Sequence, residues 1–441
     1  MQQILIIGAG RSSVSLIKYL LKQASVYDWQ ITVADMDLKL ATEKVNGDPR
    51  GAALSFDIKD ETARRNLISK HDLIISMLPA FMHGDVATDC LELGKHMATA
   101  SYVSQHMQSL HAEAQKKGLF FLNECGLDPG LDHASAMKIL DHIKSKGGVV
   151  RSFKSYCGGL VAPESNNNPW GYKFSWNPRN VVLAGQGTAQ YLNNGKLKFI
   201  PYNRLFEQTE TIEVEGAGVF DAYANRDSIS YRHIYNLTEV QTMIRGTLRQ
   251  QGYCRAWNVF VKLGLTDDTS KIANADRLSY GELLSSFLPQ GQGKLKERVA
   301  AFAGALWNAE VEEKFDYLEI LTDKPIILKN GSPAEILQAL LEEKWKLSET
   351  DKDMIVMQHL FEYEIPGEPI THTLKSSLVV TGADSRHTAM ARTVGLPLAI
   401  TVKNFLTGKI SLSGVCIPVE KEIYSLLLSE IEQYGIKFIE S

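Results

Sequence analysis

The residues best suited to chemistry lie in the segment 125–133, which contains two glycines, a proline, two acids and a histidine. Pro129 and Gly130 predict a turn directly after an apolar strand. Asp128 stands just before that turn, where a carboxylate either shapes the turn or acts on a ligand. We favour the functional role, because ligands of open α/β sheets bind at the carboxyl edge of the strands. Asp132 is predicted either to cap the helix that follows or to act in the site.

Three further features carry polar groups that could contact a ligand. Tyr102 ends a strand near the same predicted edge, where a tyrosine serves either packing or chemistry. Cys157 stands before a predicted Gly-Gly turn and is either a small packed thiol or a site residue. Guanidinium groups bind carboxylates in bidentate fashion, so a group of arginines predicts an acidic substrate unless they are ordinary surface residues. The arginines, which lie near polar Gly and Ser turns, are Arg226, Arg245 and Arg249.

A glycine turn near the start of the chain predicts a dinucleotide site. The apolar run 4–7 precedes the turn and an amphipathic stretch follows it, which is the order strand, turn, helix. Gly8 permits the turn, and Gly10 lets the backbone approach a pyrophosphate at the N-terminus of the helix. Ser13 takes the place of the expected third glycine. An ordinary βαβ unit without a ligand is the alternative. The predicted contacts in this turn are Gly8, Gly10, Arg11, Ser12 and Ser13.

The ends of the next strands supply the rest of the predicted cofactor site. Asp35 ends the second strand, roughly where an acid binds the ribose hydroxyls of NAD. Asp57 ends the third strand and either contacts an adenine amino group or is a solvated acid. Pro79 ends the fourth strand because it cannot continue the ladder. The further predicted cofactor contacts are Leu78, Pro79, Leu127, Pro129 and Ser175.

Strands and helices alternate through residue 124, which is typical of a doubly wound parallel sheet with right-handed crossovers. The next part of the chain has strand-like patches between loops rich in Gly, Asn and Pro, which predicts a mixed sheet in a second domain. Residues from about 250 to 350 have helical spacing with charged faces. We therefore predict an α/β protein with an N-terminal Rossmann domain, a second α/β domain and an α-helical subdomain.

Composition and charge exclude several classes of protein. The chain has 441 residues, enough for two or three domains, and its 44% apolar and 22% charged residues are typical of a globular protein. A net charge of −4 argues against a nucleic-acid partner, and we expect no membrane span or signal peptide. The five cysteines are far apart and odd in number, so we predict reduced thiols in a cytoplasmic protein and no metal site.

Several motifs together resemble the saccharopine dehydrogenase family, the glutamate-forming enzymes of lysine metabolism. The resemblance is carried by the segments 127–133, 155–160, 162–164, 172–176, 225–228, 245–249 and 389–397. It covers nearly the whole chain. It implies a Rossmann domain over 1–125 that is completed by about 385–441, a catalytic α/β domain over 126–250 and 351–384, and a helical subdomain over 251–350.

The resemblance also implies an activity and roles for individual residues. Family members oxidise saccharopine, a secondary amine that joins lysine and glutamate skeletons, to glutamate and 2-aminoadipate semialdehyde. Asp128 would assist proton transfer, Tyr102 would orient the amine or its water, and Cys157 would lie beside the nicotinamide or the substrate. The implied substrate-binding residues are Ser101, Tyr102, Asp128, Asn225, Arg226, Arg245, Thr247 and Arg249.

The cofactor and the partners complete these expectations. The resemblance implies that NADP-using members carry a basic residue after the second strand, but Asp35 and Asp37 stand there in this chain. A carboxylate would repel the 2′-phosphate, so we predict NAD, with NADP as the alternative and Arg11 as the nearby base that favours it. We expect a homodimer that acts on a small molecule. Two other functions stay open: an imine reductase for another carboxylated amine, such as a polyamine precursor, and a sensor that binds NAD without chemistry.

Overall fold

The computed structural model describes residues 1–184, 186–225 and 227–441. These residues form two compact units, residues 1–148 with 386–439 and residues 149–385 with 440–441. The first unit ends after residue 148 rather than after the predicted residue 125, because the helix that follows the segment 125–133 packs within this unit. No helix in the described ranges is long and apolar enough to cross a membrane.

Strands and helices alternate over residues 1–148, as their apolar periodicity predicts. The strands are β1 (Gln2–Ile7), β2 (Trp29–Asp35), β3 (Gly51–Ser55), β4 (Leu73–Ser76), β5 (His96–Thr99) and β6 (Phe120–Leu122). The helices are α1 (Val14–Tyr27), α2 (Leu38–Val45), α3 (Glu61–Ser69), α4 (His83–Leu93), α5 (Gln105–Ser109), α6 (His111–Lys116) and α7 (Leu131–Ser145). Leu110 separates the short helices α5 and α6. β5 ends at Thr99, so Tyr102 lies beyond the strand.

Residues 149–385 carry long strands and a group of helices. The strands are β7 (Val149–Val161), β8 (Ala189–Asn193), β9 (Lys196–Ile200), β10 (Thr209–Val214), β11 (Gly218–Ala224), β12 (Thr242–Gln250), β13 (Ile272–Ala273), β14 (Asn330–Gly331), β15 (Asp353–Glu364) and β16 (Thr371–Thr381). The helices are α8 (Pro178–Val182), α9 (Tyr231–Ile234), α10 (Tyr253–Leu263), α11 (Tyr280–Phe287), α12 (Leu295–Ala303), α13 (Ala309–Leu318) and α14 (Pro333–Lys344).

The remaining residues form α15 (Ala389–Leu406), β17 (Gly414–Cys416), α16 (Lys421–Ile431) and β18 (Ile439–Glu440). β17 is not predicted, because three residues are too few to show a period.

The first unit contains a seven-stranded sheet in the order β17-β6-β5-β4-β1-β2-β3. All of its strand pairs are parallel. The residues of β1 from Ile4 to Ile7 are buried, as expected for a strand covered on both faces. The strand order reverses between β1 and β4, and the carboxyl edge at such a switch point is where ligands of this fold class bind. The prediction of a Rossmann domain is confirmed.

The second unit contains a mixed sheet in the order β10-β11-β12-β7-β15-β16-β18, with β8 paired to β12 and β9. β7 is parallel to β12 and antiparallel to β15, so the prediction of a mixed sheet is confirmed. The predicted Gly-Gly turn after Cys157 is wrong, because β7 continues through Gly158 and Gly159. A side chain at Gly158 would meet the Cβ of Leu248 at 2.8 Å, so this glycine serves close packing within the sheet.

The helices over 251–350 share one hydrophobic core with the mixed sheet. Three buried tryptophans mark this core: Trp170, Trp257 and Trp345. The ring of Trp170 stacks on Phe260 of α10 with centroids 5.4 Å apart. The helices therefore cover the sheet and pack into its core.

Candidate active site

The glycine turn after β1 has the geometry that a diphosphate requires. Gly8 has φ +105°, a conformation that L side chains rarely adopt, and a Cβ there would meet the carbonyl oxygen of Met77 at 3.0 Å. A Cβ at Gly10 would have no atom within 4 Å, so open space faces the backbone where the turn enters α1. Arg11–Ser13 form a single 3₁₀ turn before that helix. The turn thus leaves room for a ligand at the N-terminus of a helix.

Ser13 is buried and does not act as a third glycine. Its hydroxyl donates to the carbonyl of Gly10 at 2.8 Å, which closes the turn from inside. A different glycine allows a close approach between two helices: a Cβ at Gly395 of α15 would lie 2.9 Å from the backbone nitrogen of Leu16 in α1. This contact comes from the end of the chain, where local spacing gives no signal for it.

Asp35 is fixed at the end of β2 beside the glycine turn. Its Oδ2 accepts from the backbone N–H of Ala9 at 2.6 Å, and its Oδ1 accepts from the backbone N–H of Asp37 at 2.9 Å. Asp57 is exposed and accepts from the N–H of Lys59, which is a turn contact. The open turn and the oriented carboxylate of Asp35 fit the diphosphate and ribose of a nicotinamide dinucleotide.

A buried histidine lies at the carboxyl edge next to the end of β5. The ring of His83 has Ser76 Oγ at 2.8 Å from Nδ1 and Ser101 Oγ at 2.7 Å from Nε2. Burial lowers the pKa of His83 to about 4, so the imidazole is neutral near pH 7. The predicted substrate residue Ser101 is therefore held by a side chain that sequence reasoning missed. Of the predicted cofactor contacts nearby, Leu78 is half-buried and Pro79 is exposed.

The structure brings Tyr102 and Asp128 together. The hydroxyl of Tyr102 donates to Oδ1 of Asp128 at 3.1 Å. Tyr102 is 41% exposed and Asp128 is half-buried, so both reach solvent at the edge of the sheet. The pair combines a carboxylate that can accept a proton with a hydroxyl that orients it.

The loop that carries Asp128 is tightly closed on itself. The backbone N–H of Gly126 donates to the carbonyl of Pro129 at 2.9 Å. Gly130 has φ +145°, and a Cβ there would meet the carbonyl oxygen of Gly126 at 2.1 Å, so only glycine fits. Leu127 and Pro129, predicted as cofactor contacts, are buried in this loop. The loop therefore presents Asp128 on a rigid turn.

α7 begins at Leu131, within the segment 125–133. Asp132 accepts from the backbone N–H of Gly130 at 2.6 Å and so fastens the start of this helix. The N-cap of the helix is Gly130, so both alternatives for Asp132, capping and a role in the site, stay predictions.

In the second unit, Cys157 lies in the middle of β7. It is in register with Thr247 of β12 and with Met357 of β15, and it is buried. Alternation along β12 places the three predicted substrate residues of this strand, Arg245, Thr247 and Arg249, on one face of the sheet. Asn225 donates its backbone N–H to the carbonyl of Arg245 at 2.7 Å. The predicted Arg226 lies outside the described residues.

The two described arginines of this group are not surface residues. Arg245 is 5% exposed, and its guanidinium carbon lies 4.1 Å from the ring centroid of Tyr231. Such a contact is a cation–π interaction that orients the guanidinium.

Arg249 is 3% exposed and is surrounded by tyrosine rings. Its guanidinium carbon lies 5.2 Å from the ring centroid of Tyr172, 5.4 Å from that of Tyr253 and 5.9 Å from that of Tyr223. Its Nε has no hydrogen-bond partner among the described residues. Buried guanidinium groups are normally paired with an anion, so Arg249 is equipped to receive a carboxylate.

Two further features of the structure concern the hydroxyl of Ser175 and the side chains that could bind a metal ion. Ser175 is buried, and its hydroxyl has no hydrogen-bond partner among the described residues. Its predicted contact with the cofactor stays a prediction. Within the ranges that the structure describes, no group of three or more His, Cys, Asp or Glu side chains could hold a metal ion.

Comparisons with known proteins place both units in one family. Residues 4–122 match the model of the saccharopine dehydrogenase NADP binding domain, and residues 126–436 match that of the saccharopine dehydrogenase C-terminal domain. The chain is 33% identical to saccharopine dehydrogenase [NADP(+), L-glutamate-forming] of Schizosaccharomyces pombe, over 100% of this chain and 99% of that protein. It is 35% identical to the mitochondrial alpha-aminoadipic semialdehyde synthase of Mus musculus, over 99% of this chain and 47% of that protein. The solved structure of apo saccharopine dehydrogenase (L-Glu forming) from Saccharomyces cerevisiae matches with a TM-score of 0.88 at 32% identity, over 100% of this chain and 99% of that one.

Proposed function

The chain belongs to the saccharopine dehydrogenase family, and on that premise we propose that it oxidises saccharopine to glutamate and 2-aminoadipate 6-semialdehyde, or runs the reverse reductive condensation. The reaction uses a nicotinamide dinucleotide. The observation that carries the proposal is the hydrogen bond from Tyr102 to Asp128 at the carboxyl edge of the Rossmann sheet. The fungal relatives that cover the whole chain carry the glutamate-forming activity in their names, which supports it.

Asp128 is proposed to move the protons of this reaction. A secondary amine is protonated in neutral water, so its nitrogen must lose a proton before the neighbouring carbon can lose a hydride. Asp128 takes that proton and releases it to solvent, and the hydroxyl of Tyr102 holds the carboxylate towards the nitrogen. When bound, the oxidised nicotinamide supplies the hydride acceptor. Asp128 then takes a proton from the water that attacks the carbon–nitrogen double bond and passes it to the nitrogen. It next takes the proton of the new hydroxyl as the carbon–nitrogen bond breaks, so that the aldehyde forms and glutamate leaves.

The second unit is proposed to bind the carboxylates of saccharopine. Arg249 offers a buried guanidinium whose Nε is unpaired among the described residues, and Arg245 offers a second one oriented by Tyr231. Thr247 and Asn225 are half-buried and add a hydroxyl and an amide. Cys157 is proposed to lie beside the nicotinamide or the substrate, since it is in register with Thr247.

We propose NAD as the preferred cofactor. Asp35 presents an oriented carboxylate at the end of β2, and Asp37 adds a second negative charge two residues later. A 2′-phosphate at this position would be repelled. The family model and the names of the relatives point to NADP instead, so the proposal rests on the residues of this chain alone. Homodimeric assembly and a cytoplasmic location stay predictions.

Steady-state formation of reduced cofactor, followed by absorbance with saccharopine as substrate, tests the proposal. We expect turnover with saccharopine and a large loss of turnover in the Asp128→Asn variant. If the protein oxidises another carboxylated amine but not saccharopine, the result would favour a related imine reductase. Binding of NADH without turnover of any amine would indicate a sensor.

A further inference from the structure

Glu124 is a buried carboxylate that fastens the backbone on both sides of Tyr102. It follows β6 in the chain and is 4% exposed. Its backbone N–H donates to the carbonyl of Ser101 at 2.9 Å, and its Oε1 accepts from the backbone N–H of Val103 at 2.9 Å. Tyr102 lies between these two anchors, so the position of its backbone depends on Glu124.

The other carboxylate oxygen of Glu124 connects to the loop that carries Asp128. Nε2 of His133, in the first turn of α7, lies 2.8 Å from Oε2 of Glu124, and His133 is fully buried. The neighbouring Asp132 accepts from the backbone N–H of Gly130, two residues after Asp128. Glu124 and His133 therefore join the two backbone segments on which the phenol and the carboxylate of the active pair stand.

The backbone of Glu124 is in a conformation that is unfavourable for its residue type. Its φ is +53°, in the left-handed region that glycine, asparagine and aspartate adopt most readily. The other described non-glycine residues with positive φ are five Asn or Asp residues and Glu319, which follows the end of α13. Glycine would adopt this conformation without strain but would have no carboxylate. A glutamate in this strained conformation is explained if the structure needs its carboxylate, which glycine would not provide.

We propose that Glu124 and His133 are positioning residues for the Tyr102–Asp128 pair, an inference that rests on the proposed oxidation of saccharopine. Neither side chain touches the reacting atoms in this scheme. They hold two separate loops so that the hydroxyl and the carboxylate meet at 3.1 Å. Because a displacement of about 1 Å can lower turnover by about 10²-fold, losing either side chain should lower kcat. KM for saccharopine should change little, since Arg245 and Arg249 are untouched.

Four variants and a matched control separate positioning from general stability. Glu124→Ala and His133→Ala remove the connection. Glu124→Gln keeps an acceptor for the Val103 N–H, and His133→Gln keeps a donor for Glu124. The control is Asp89→Asn, which breaks a different buried ion pair of the same unit, with Arg64 Nε at 2.6 Å from Asp89 Oδ2. Thermal unfolding and NADH binding, measured by fluorescence, show that each variant is folded.

We expect both alanine variants to lose about 30- to 100-fold in kcat with KM within about threefold of wild type. The glutamine variants should recover at least about tenfold of that loss, and Asp89→Asn should lower the melting temperature with kcat near wild type. The proposal is overturned if the alanine variants keep wild-type kcat, or if Asp89→Asn loses as much kcat as they do. If an alanine variant does not fold, Glu124→Asp takes its place, because it keeps the charge but is one methylene shorter than the span from the Val103 N–H to His133 Nε2. Wild-type kcat in that variant overturns the proposal.

A crystal structure of Glu124→Ala or, if that variant does not fold, of Glu124→Asp provides a readout that does not depend on the substrate. We expect the distance from Tyr102 Oη to Asp128 Oδ1 to exceed hydrogen-bonding range in the variant that is solved. An unchanged distance would overturn the positioning role even if the wild-type protein failed to oxidise saccharopine. A wild-type protein without turnover, together with a lengthened distance, would overturn the proposed function and support the positioning of the pair.

Discussion

Replacement of Asp35 by alanine should shift the cofactor preference from NAD towards NADP. The carboxylate is held in place by the backbone N–H groups of Ala9 and Asp37, at 2.6 and 2.9 Å. Because these bonds orient it before any cofactor arrives, it can receive the ribose hydroxyls of NAD without rearrangement. A phosphate on the 2′-oxygen would meet the same carboxylate as a like charge.

The size of the repulsion follows from simple geometry. A hydroxyl oxygen hydrogen-bonded to the carboxylate lies about 2.7 Å away, so the charge of a phosphate on that oxygen would lie about 5 Å away. With a phosphate charge of about −1.5 to −2 and an effective dielectric constant between about 80 and 20, the repulsion is about 1–7 kcal/mol. Asp35 is half-buried at an open edge, so we take about 2–3 kcal/mol. This corresponds to about 30- to 150-fold in the ratio of the kcat/KM values for NAD and NADP.

The assay measures kcat/KM for NAD and for NADP with saccharopine at a fixed concentration. Asp48→Ala is the matched control. It removes the same charge and the same kind of bond, because Oδ1 of Asp48 accepts from the N–H of Arg50 at 2.9 Å, but it stands before β3 at the opposite edge of the sheet. We expect the control to keep the wild-type ratio. Raising the salt concentration should reduce the discrimination of the wild-type enzyme, because salt screens an exposed repulsion.

Two results would refute the role assigned to Asp35. One is a ratio of the kcat/KM values for NAD and NADP that stays within about threefold of wild type in Asp35→Ala, because the electrostatic repulsion predicts a change of about 30-fold or more. The other is a wild-type enzyme that prefers NADP, which would mean that Arg11 or another group outweighs the two acids. The cofactor NADP(+), which the names of the fungal relatives contain, would then also be the cofactor of this chain.

The other predictions concern the proton, the substrate and stability. Asp128→Asn keeps the size of the side chain but not its basicity, so kcat for saccharopine should fall about 10²- to 10⁴-fold; near-normal turnover would exclude its role in proton transfer. Arg249→Met should raise KM for saccharopine about tenfold or more with a smaller effect on kcat, and an unchanged KM would place the guanidinium outside the substrate site. The pKa of His83 is about 4 when folded and 6.5 for an unperturbed histidine, so the unfolded chain binds more protons between these values and stability is lost as pH falls from 6.5 to 4. Urea unfolding measures this loss as a change in the free energy of unfolding of at most about 3 kcal/mol between pH 6.5 and 4, which should be missing in His83→Asn. The same dependence of the unfolding free energy on pH in variant and wild type would contradict the prediction.

The elements that sequence predicted best are those with a strong local period. The run from β1 through the glycine turn to β2 is one example, because its strands are buried on both faces and its glycines are required locally. β12 was not predicted as a strand, since Arg245, Thr247 and Arg249 give it a polar face that suggests a loop. β17 was missed because three residues show no periodicity, although they pair with β6 far away in the chain.

The active pair was partly predictable from sequence. Tyr102 and Asp128 each follow a strand of a parallel sheet, which places both at the same edge, but their hydrogen bond depends on two loops whose shapes have no local signature. Glu124 and His83 were missed for a related reason. An acid or a histidine next to a strand end usually indicates a solvated residue, whereas both side chains are buried here by partners distant in sequence.

The most direct test of the proposed reaction is the stoichiometry of its products. Purified protein would be incubated with saccharopine and NAD, and glutamate, 2-aminoadipate semialdehyde and reduced cofactor would be quantified together. We predict equal molar amounts of all three, since one hydride transfer and one hydrolysis release one molecule of each. Formation of lysine and 2-oxoglutarate instead would mean that the other carbon–nitrogen bond is cleaved. The absence of any product with either NAD or NADP would contradict the proposed activity.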